Sequence, residues 1–171
     1  MREKMRGFDG TQVVETESFV FFWRPPAVFC QWTPSKFVVD GVWYSCAEQY
    51  MMAEKARLFE DEDVRVQILA TDSPRAHKKL GRKVKGFVGE VWEAQRSEIV
   101  YRGSLAKFGQ NPHILAQLLA TGEKTLVEAS PLDTIWGIGL DAVDEAAQDP
   151  SRWKGLNLLG EALMRVRAEL R

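Results

Sequence analysis

Glu48, Met52 and Lys55 stand at i, i+4 and i+7 in the stretch YSCAEQYMMAEKARLF, residues 44 to 59, and such positions share one face of a helix. A carboxylate and an ammonium so placed lie about 10.5 Å apart along the helix axis. That is too far for a close ion pair, but it suits contact with opposite ends of a sugar phosphate. Glu48 also follows Ser45 at the S-x-x-E spacing of a capping box, in which each side chain ties down the other's backbone N–H. Spacing alone favours the cap, with Lys55 a solvated lysine.

Three further groups carry residue types able to do chemistry. In EASPLDTIWGIGL, residues 128 to 140, Glu128 and Asp133 stand near one another around a turn, Trp136 offers a flat wall, and Gly137 and Gly139 would let backbone approach a ligand. The structural alternative is that Ser130-Pro131 caps a helical turn with Asp133 in its first turn. Gly137 to Ala142 also fits G-x-G-x-x-A, but without a preceding strand or a βαβ unit the dinucleotide fingerprint is rejected. In SPRAHKKLGRKVKGF, Arg75, Lys78, Lys79, Arg82, Lys83 and Lys85 form either a solvated helix face or a phosphate-binding patch, with Arg82 as its bidentate partner. Trp92, Lys107 and Phe108 fit a site or the core; Trp92 shares a stripe with Val91, which favours packing. His77 and His113 have no partner at metal-ligand spacing, and no Cys/His nucleophile pair is indicated. No metal site is expected.

The elements that must position these residues are legible in part. SFVFFWRPP (18 to 26) reads as a strand stopped by Pro-Pro, and FVVDGVWY (37 to 44) as a hairpin about Asp-Gly. The stretch from 44 to 59 is the first long helix. DEDVRVQILA (61 to 70) continues helically with an acidic first turn, and Ser73-Pro74 opens another helix. Residues 88 to 111 have helical spacing interrupted near Gly103, and PHILAQLLATG (112 to 122) is a short helix from Pro to Gly. TLVEASP reads as a strand running into a turn and IWGIGL as a glycine-rich extended piece. The end is an amphipathic helix with Leu156, Leu159, Leu163, Val166 and Leu170 along one stripe. The fold class expected is α+β and predominantly helical, with one small antiparallel sheet joining the N-terminal strands to the 125 to 140 region.

Length and composition bound the function. A chain of 171 residues, 45% hydrophobic and 27% charged, fits one domain over 1–171, with 1–17 expected as a loosely ordered N-terminus. The formal net charge of −1 gives no global field for a polyanion or an anionic membrane. Two cysteines, Cys30 and Cys46, make neither a disulfide framework nor a four-ligand metal site. No apolar run is long enough for a signal or a membrane span, so a cytoplasmic location is expected.

Taken in order, FVFFW, FCQWTPSKFVVDGVWYSCAEQYMMAEKARLF, LGRKVKGF, KFGQN, LLATGEKTLVEASPLDTIWGIGL and WKGLNLLGEALMRVR resemble the YbiA/NADAR family of N-glycosidases. The resemblance runs from about residue 18 to the C-terminus. It implies cleavage of an N-glycosidic bond in phosphoribosylamino-pyrimidine intermediates of riboflavin biosynthesis or, in other branches, in ADP-ribose attached to a nucleobase. It implies no metal and no cofactor, and nucleic acid only as a modified substrate. Carried over by position, it puts Glu48, Lys55, Arg82, Trp92, Lys107, Glu128, Asp133, Trp136 and Gly137 around the pocket. Glu48 and Asp133 would then be the catalytic carboxylates, with Asp133 on the water side. Lys55, Arg82 and Lys107 would hold phosphate, and Trp92 and Trp136 would stack on the pyrimidine or shield the site. Cys30 departs from the family run, a thiol standing where a hydroxyl is usual, and leaves a weaker hydrogen-bonding group. The competing readings are an ADP-ribosyl glycohydrolase, which needs a longer pocket, and a non-catalytic nucleotide-binding module, which would tolerate loss of a carboxylate.

Overall fold

The structure, a computed structural model, describes residues 10–171. In chain order its elements are β1 (Val13–Glu15), β2 (Phe19–Phe22), β3 (Phe37–Val39), β4 (Val42–Tyr44), α1 (Ala47–Leu58), α2 (Glu62–Leu69), α3 (Pro74–Gly81), α4 (Gly89–Gly109), α5 (Pro112–Ala120), β5 (Thr125–Glu128) and α6 (Leu158–Glu169). Two 3₁₀ turns, Glu145–Gln148 and Pro150–Arg152, precede α6. The class is α+β, as the sequence indicates. The chain forms two compact units, one from the stretches ending at Thr33 and beginning at Ala116, the other Pro34–Leu115; the division falls inside α5. The loosely ordered N-terminus expected over 1–17 lies outside the described residues for 1–9, while Val13–Glu15 pair in a sheet.

In the unit built from both ends of the chain, β1, β2 and β5 form a sheet in the order β1-β2-β5. Val20, Phe21 and Phe22 are fully buried, which explains why β2 is apolar on both faces and central. The β1–β2 pair is antiparallel, but β2–β5 is parallel, with Phe19 opposite Thr125 and Phe22 opposite Glu128. This corrects the expected all-antiparallel sheet. Parallel neighbours need a long connection, and everything between Phe22 and Thr125 supplies it.

IWGIGL forms no strand. Instead the carbonyls of Thr134, Ile135, Trp136 and Gly137 accept the N–H groups of Leu156, Leu158, Leu159 and Asn157 respectively, satisfying donors at the start of α6 that would otherwise lack partners. Asn157, fully buried with φ +53°, donates from Nδ2 to Leu126 O and accepts from Glu128 N–H, so one side chain stands in for a neighbouring strand along β5. Of the expected stripe, Leu159, Leu163 and Val166 are buried in α6; Leu156 precedes the helix and is exposed, and Leu170 is its C-cap.

Residues 34–115 make the second unit. β3 and β4 form a separate two-stranded hairpin, whose turn residues Asp40 and Gly41 both have positive φ, as a two-residue I′ turn requires. α1 is buried almost throughout, Ala47 to Glu54 without a break, and it packs against α2, α3 and α4. Asp61 caps α2 and Ser73 caps α3, with Pro74 in the first turn. α4 runs unbroken through Gly103, contrary to the expected interruption. Glycine costs about 1 kcal/mol inside a helix. It is needed here because a Cβ at 103 would overlap the Tyr50 ring of α1. Among the described residues no helix is long and apolar enough to cross a membrane.

Candidate active site

The first turn of α1 fixes which side chain bonds Ser45. Cys46 is the N-cap, in extended conformation and without a side-chain cap bond, so Glu48 is the second helical residue and Gln49 the third. The reciprocal bond expected of Glu48 is made by Gln49, whose Oε1 accepts the Ser45 N–H at 2.7 Å and the Ser45 hydroxyl at 3.1 Å. Its Nε2 donates to the carbonyls of Ile68 and Thr71, which ties α1 to the end of α2. Ser45 is therefore not the N-cap that the expected Ser45–Glu48 box requires; it stands one residue before the N-cap and bonds Gln49. Glu48 is 5% exposed, in the first turn, at the positive end of the helix dipole.

Two turns further along α1, Lys55 is half-buried. Its Nζ lies 4.5 Å from the Phe87 ring centroid and 5.6 Å from that of Trp92, in the first turn of α4. Its ammonium is pushed below the usual lysine range, first by burial and then by the Arg82 guanidinium, while the Glu48 carboxylate opposes the shift. Arg82 reaches this neighbourhood as the C-cap of α3, because Gly81 carries no Cβ that would overlap the Met52 thioether on α1. Among the described residues neither Lys55 nor Arg82 is in a salt bridge, and Arg82 is exposed. Glu48, Lys55, Arg82 and Trp92 thus come together on one unit: a buried acid, two cations outside any salt bridge, and an indole. Lys107, on α4, is 1% exposed, with Nζ 5.1 Å from the Phe108 ring.

Phe87 was not singled out by sequence. The signal available was a Gly-Phe dipeptide between two predicted helices, at the end of a basic run. Its loop is held by Asp61, whose Oδ2 accepts the Lys85 N–H at 2.8 Å while Oδ1 caps α2. Those bonds hold the Asp61 carboxyl below the usual range, the Lys85 bond foremost.

The other expected residues belong to the unit formed by the chain ends. Glu128 closes β5, half-buried. Asp133 Oδ1 accepts the N–H groups of Ile135 and Trp136, both at 2.8 Å, and its carbonyl accepts Gly139 N–H. Trp136 is half-buried. Gly137 is buried, and a Cβ there would sit 2.8 Å from Glu128 O and 3.1 Å from Asp133 O, so the chain's own backbone fills the space. Cys30 is a buried thiol whose sulfur accepts the Trp32 N–H at 3.4 Å.

A cysteine–histidine contact joins the start of α1 to α3. Cys46 Sγ lies 3.8 Å from His77 Nδ1. His77 Nε2 is 2.6 Å from Thr71 O, so it donates there and Nδ1 accepts from the thiol. Burial pushes the Cys46 thiol up and the His77 imidazole down, the opposite of what a thiolate–imidazolium nucleophile needs. The pair fastens α3 to the start of α1. No group of three or more His, Cys, Asp or Glu among the described residues is placed to hold a metal ion.

Comparison with known proteins gives a consistent picture. The model of the NADAR domain matches residues 21–171. The chain is 41% identical over 167 residues to N-glycosidase R617 of Acanthamoeba polyphaga mimivirus, covering 91% of this chain and 98% of that protein. It is 30% identical over 165 residues to riboflavin biosynthesis protein PYRR, chloroplastic, of Zea mays, covering 90% of this chain and 25% of that longer protein. The NMR structure of the Escherichia coli protein YbiA matches with a TM-score of 0.74 at 29% identity, covering 94% of this chain and 89% of that one.

Proposed function

The chain belongs to the NADAR domain family, and from that premise we propose that it is an N-glycosidase acting on a phosphoribosylamino-pyrimidine intermediate of riboflavin biosynthesis. The observation that carries this is the group on residues 34–115: buried Glu48, with Lys55 and Arg82 close enough for one charge to depress the other and neither in a salt bridge among the described residues. Two adjacent cations outside any salt bridge are arranged for a dianion, and a sugar phosphate is the dianion an N-glycosidase would meet. Relatives named as N-glycosidases and a relative named for riboflavin biosynthesis support the choice.

The chemistry follows from charge. As the C1–N bond lengthens, its electron pair leaves with the pyrimidine amine and C1 becomes oxocarbenium-like. A preorganised carboxylate stabilises that cation without needing to reorganise, and Glu48 is our candidate for it. Water adds its oxygen to C1, one of its protons ends on the departing nitrogen, and the products are ribose 5-phosphate and the free aminopyrimidine. Lys55 and Arg82 would grip the phosphate, and Trp92 offers a face for stacking.

Incubation with each phosphoribosylamino-pyrimidine of the pathway, and separately with ADP-ribosylated guanosine, tests the assignment by product detection. Ribose 5-phosphate from the first set is expected. Release of ADP-ribose alone would replace the substrate class, and no release from either would remove the activity.

A further inference from the structure

Lys55 has a long stem and, among the described residues, no salt bridge to fix it. The side chain of a lysine carries about 2 kcal/mol of rotamer entropy, which must be lost before its ammonium can meet a phosphate in one geometry. A carboxylate could hold it, but would also neutralise it and compete with the phosphate. An aromatic face holds an ammonium within about 6 Å and leaves its full charge in place. Lys55 has two such faces, and the nearer belongs to Phe87.

Phe87 is set over Lys55 by a closed chain of contacts. The Phe59 N–H, at the end of α1, bonds the Lys55 carbonyl. The Phe59 ring meets the Phe87 ring edge-on, centroids 5.3 Å apart at 61°. Phe87 in turn lies 4.5 Å from Lys55 Nζ, on the same helix from which the chain of contacts started. Two backbone features aim the loop: the Asp61–Lys85 bond before it and Gly86 at φ +68°, a conformation that suits glycine. Core packing does not account for Phe87, since 46% of the residue remains exposed. A ring left half in water and turned to a cation has its use on that face.

We propose that Phe87 is a positioning residue, which holds the Lys55 ammonium as a charged, phosphate-directed group; this rests on the reading of Lys55 as a phosphate ligand. Trp92 alone, at 5.6 Å, is the weaker of the two supports.

The test compares the parent with Phe87→Leu, which keeps bulk and removes the π face, and Phe87→Tyr, which restores it. In the parent, the Lys55 side-chain protons, assigned by their loss in Lys55→Gln, are expected to be shifted upfield by ring current. That shift should diminish in Phe87→Leu and persist in Phe87→Tyr. The dissociation constant for ribose 5-phosphate, read by titration without turnover, should rise about two- to fivefold in Phe87→Leu, the range expected for an exposed cation–π contact. KM should follow it while kcat is unchanged, and Phe87→Tyr should match the parent. An unchanged Lys55 shift and unchanged affinity in Phe87→Leu would overturn the proposal, as would a Tyr variant that behaves like Leu. A parent protein that does not bind ribose 5-phosphate would instead overturn the phosphate reading on which it rests.

Discussion

Replacing Glu48 by glutamine separates a structural from a chemical use of one carboxylate. Glutamine keeps the shape and removes the charge. The start of α1 is secured by Gln49, through four hydrogen bonds that the substitution leaves in place, and the charge–dipole interaction is one part of the stability that removing the charge takes away. That interaction is worth about 0.3–1 kcal/mol near a helix N-terminus and up to about 2 kcal/mol when partly buried. In a chain of this size it corresponds to a fall in Tm of at most about 8 °C, at about 2–4 °C per kcal/mol. Loss of a preorganised charge facing the developing cation should cost about 10²–10³ in kcat, roughly 2.7–4 kcal/mol. A second consequence is local: Glu48 supports the charged form of Lys55, so its removal should lower the Lys55 pKa further. Single-turnover release of ribose 5-phosphate, thermal melting and a side-chain titration of Lys55 measure the three effects. A variant that melts within this range and turns over within threefold of the parent would refute the assignment of Glu48 to catalysis. A variant that does not fold would return Glu48 to the structural role that its spacing first suggested.

Asp133→Asn should leave its loop intact, because an amide oxygen can still accept the Ile135 and Trp136 N–H groups; loss of turnover with unchanged melting would assign the carboxylate to water activation, and retained turnover would assign it to the turn alone. His77 is held neutral by burial, its folded pKa below the unfolded value of about 6.5. The unfolded chain therefore binds more protons in that window, so stability should be fully present above pH 6.5 and fall as pH drops toward the folded pKa; melting curves against pH should be flatter for His77→Gln. Gly103→Ala gains about 1 kcal/mol of helix propensity but drives a methyl into the Tyr50 ring, an overpacking cost of about 1–3 kcal/mol. Denaturant unfolding should show net destabilisation, and a stabilised variant would mean that α1 yields at Tyr50.

How much of this fold the sequence declares depends on the range of the interaction. Local chemistry is legible: the Asp40-Gly41 turn, the Ser73 cap with Pro74, and the apolar run of β2 each follow from neighbouring residues. The errors lie where a distant partner overrides a local preference. Gly103 reads as a break because glycine weakens helices, yet it persists in mid-helix because Tyr50, more than fifty positions earlier, occupies the space of its missing side chain. IWGIGL reads as an extended piece because it is apolar and glycine-rich, yet its carbonyls serve the start of α6, and Asn157 takes the place beside β5 that a strand would have filled. The sense of the β2–β5 pair is likewise invisible locally. Nothing in either four-residue segment distinguishes parallel from antiparallel partners.

The candidate site follows the same rule. Glu48 and Lys55 were legible together because a single helix sets their spacing, and Arg82 because a basic run is conspicuous in a chain of net charge −1. The family resemblance, not spacing, sets Glu48 above its capping role. Two overlapping patterns compete at the helix start: Ser45 with Glu48, and Ser45 with Gln49. A helix that begins one residue later rotates the next side chain by about 100°. That shift gives the Ser45 N–H to the neutral amide of Gln49. An amide both accepts and donates, as Gln49 does toward Ser45 and Ile68, whereas a carboxylate only accepts. Phe87 was illegible for the opposite reason. Its partner is a cation on another element, and the contact exists only because Gly81, Asp61 and Phe59 bring the α3–α4 loop against α1. The run LGRKVKGF includes Phe87 but does not show which of its residues touch a ligand and which hold those in place. The supports of a site are therefore best sought in structure, among half-exposed aromatic groups beside cations that no salt bridge holds.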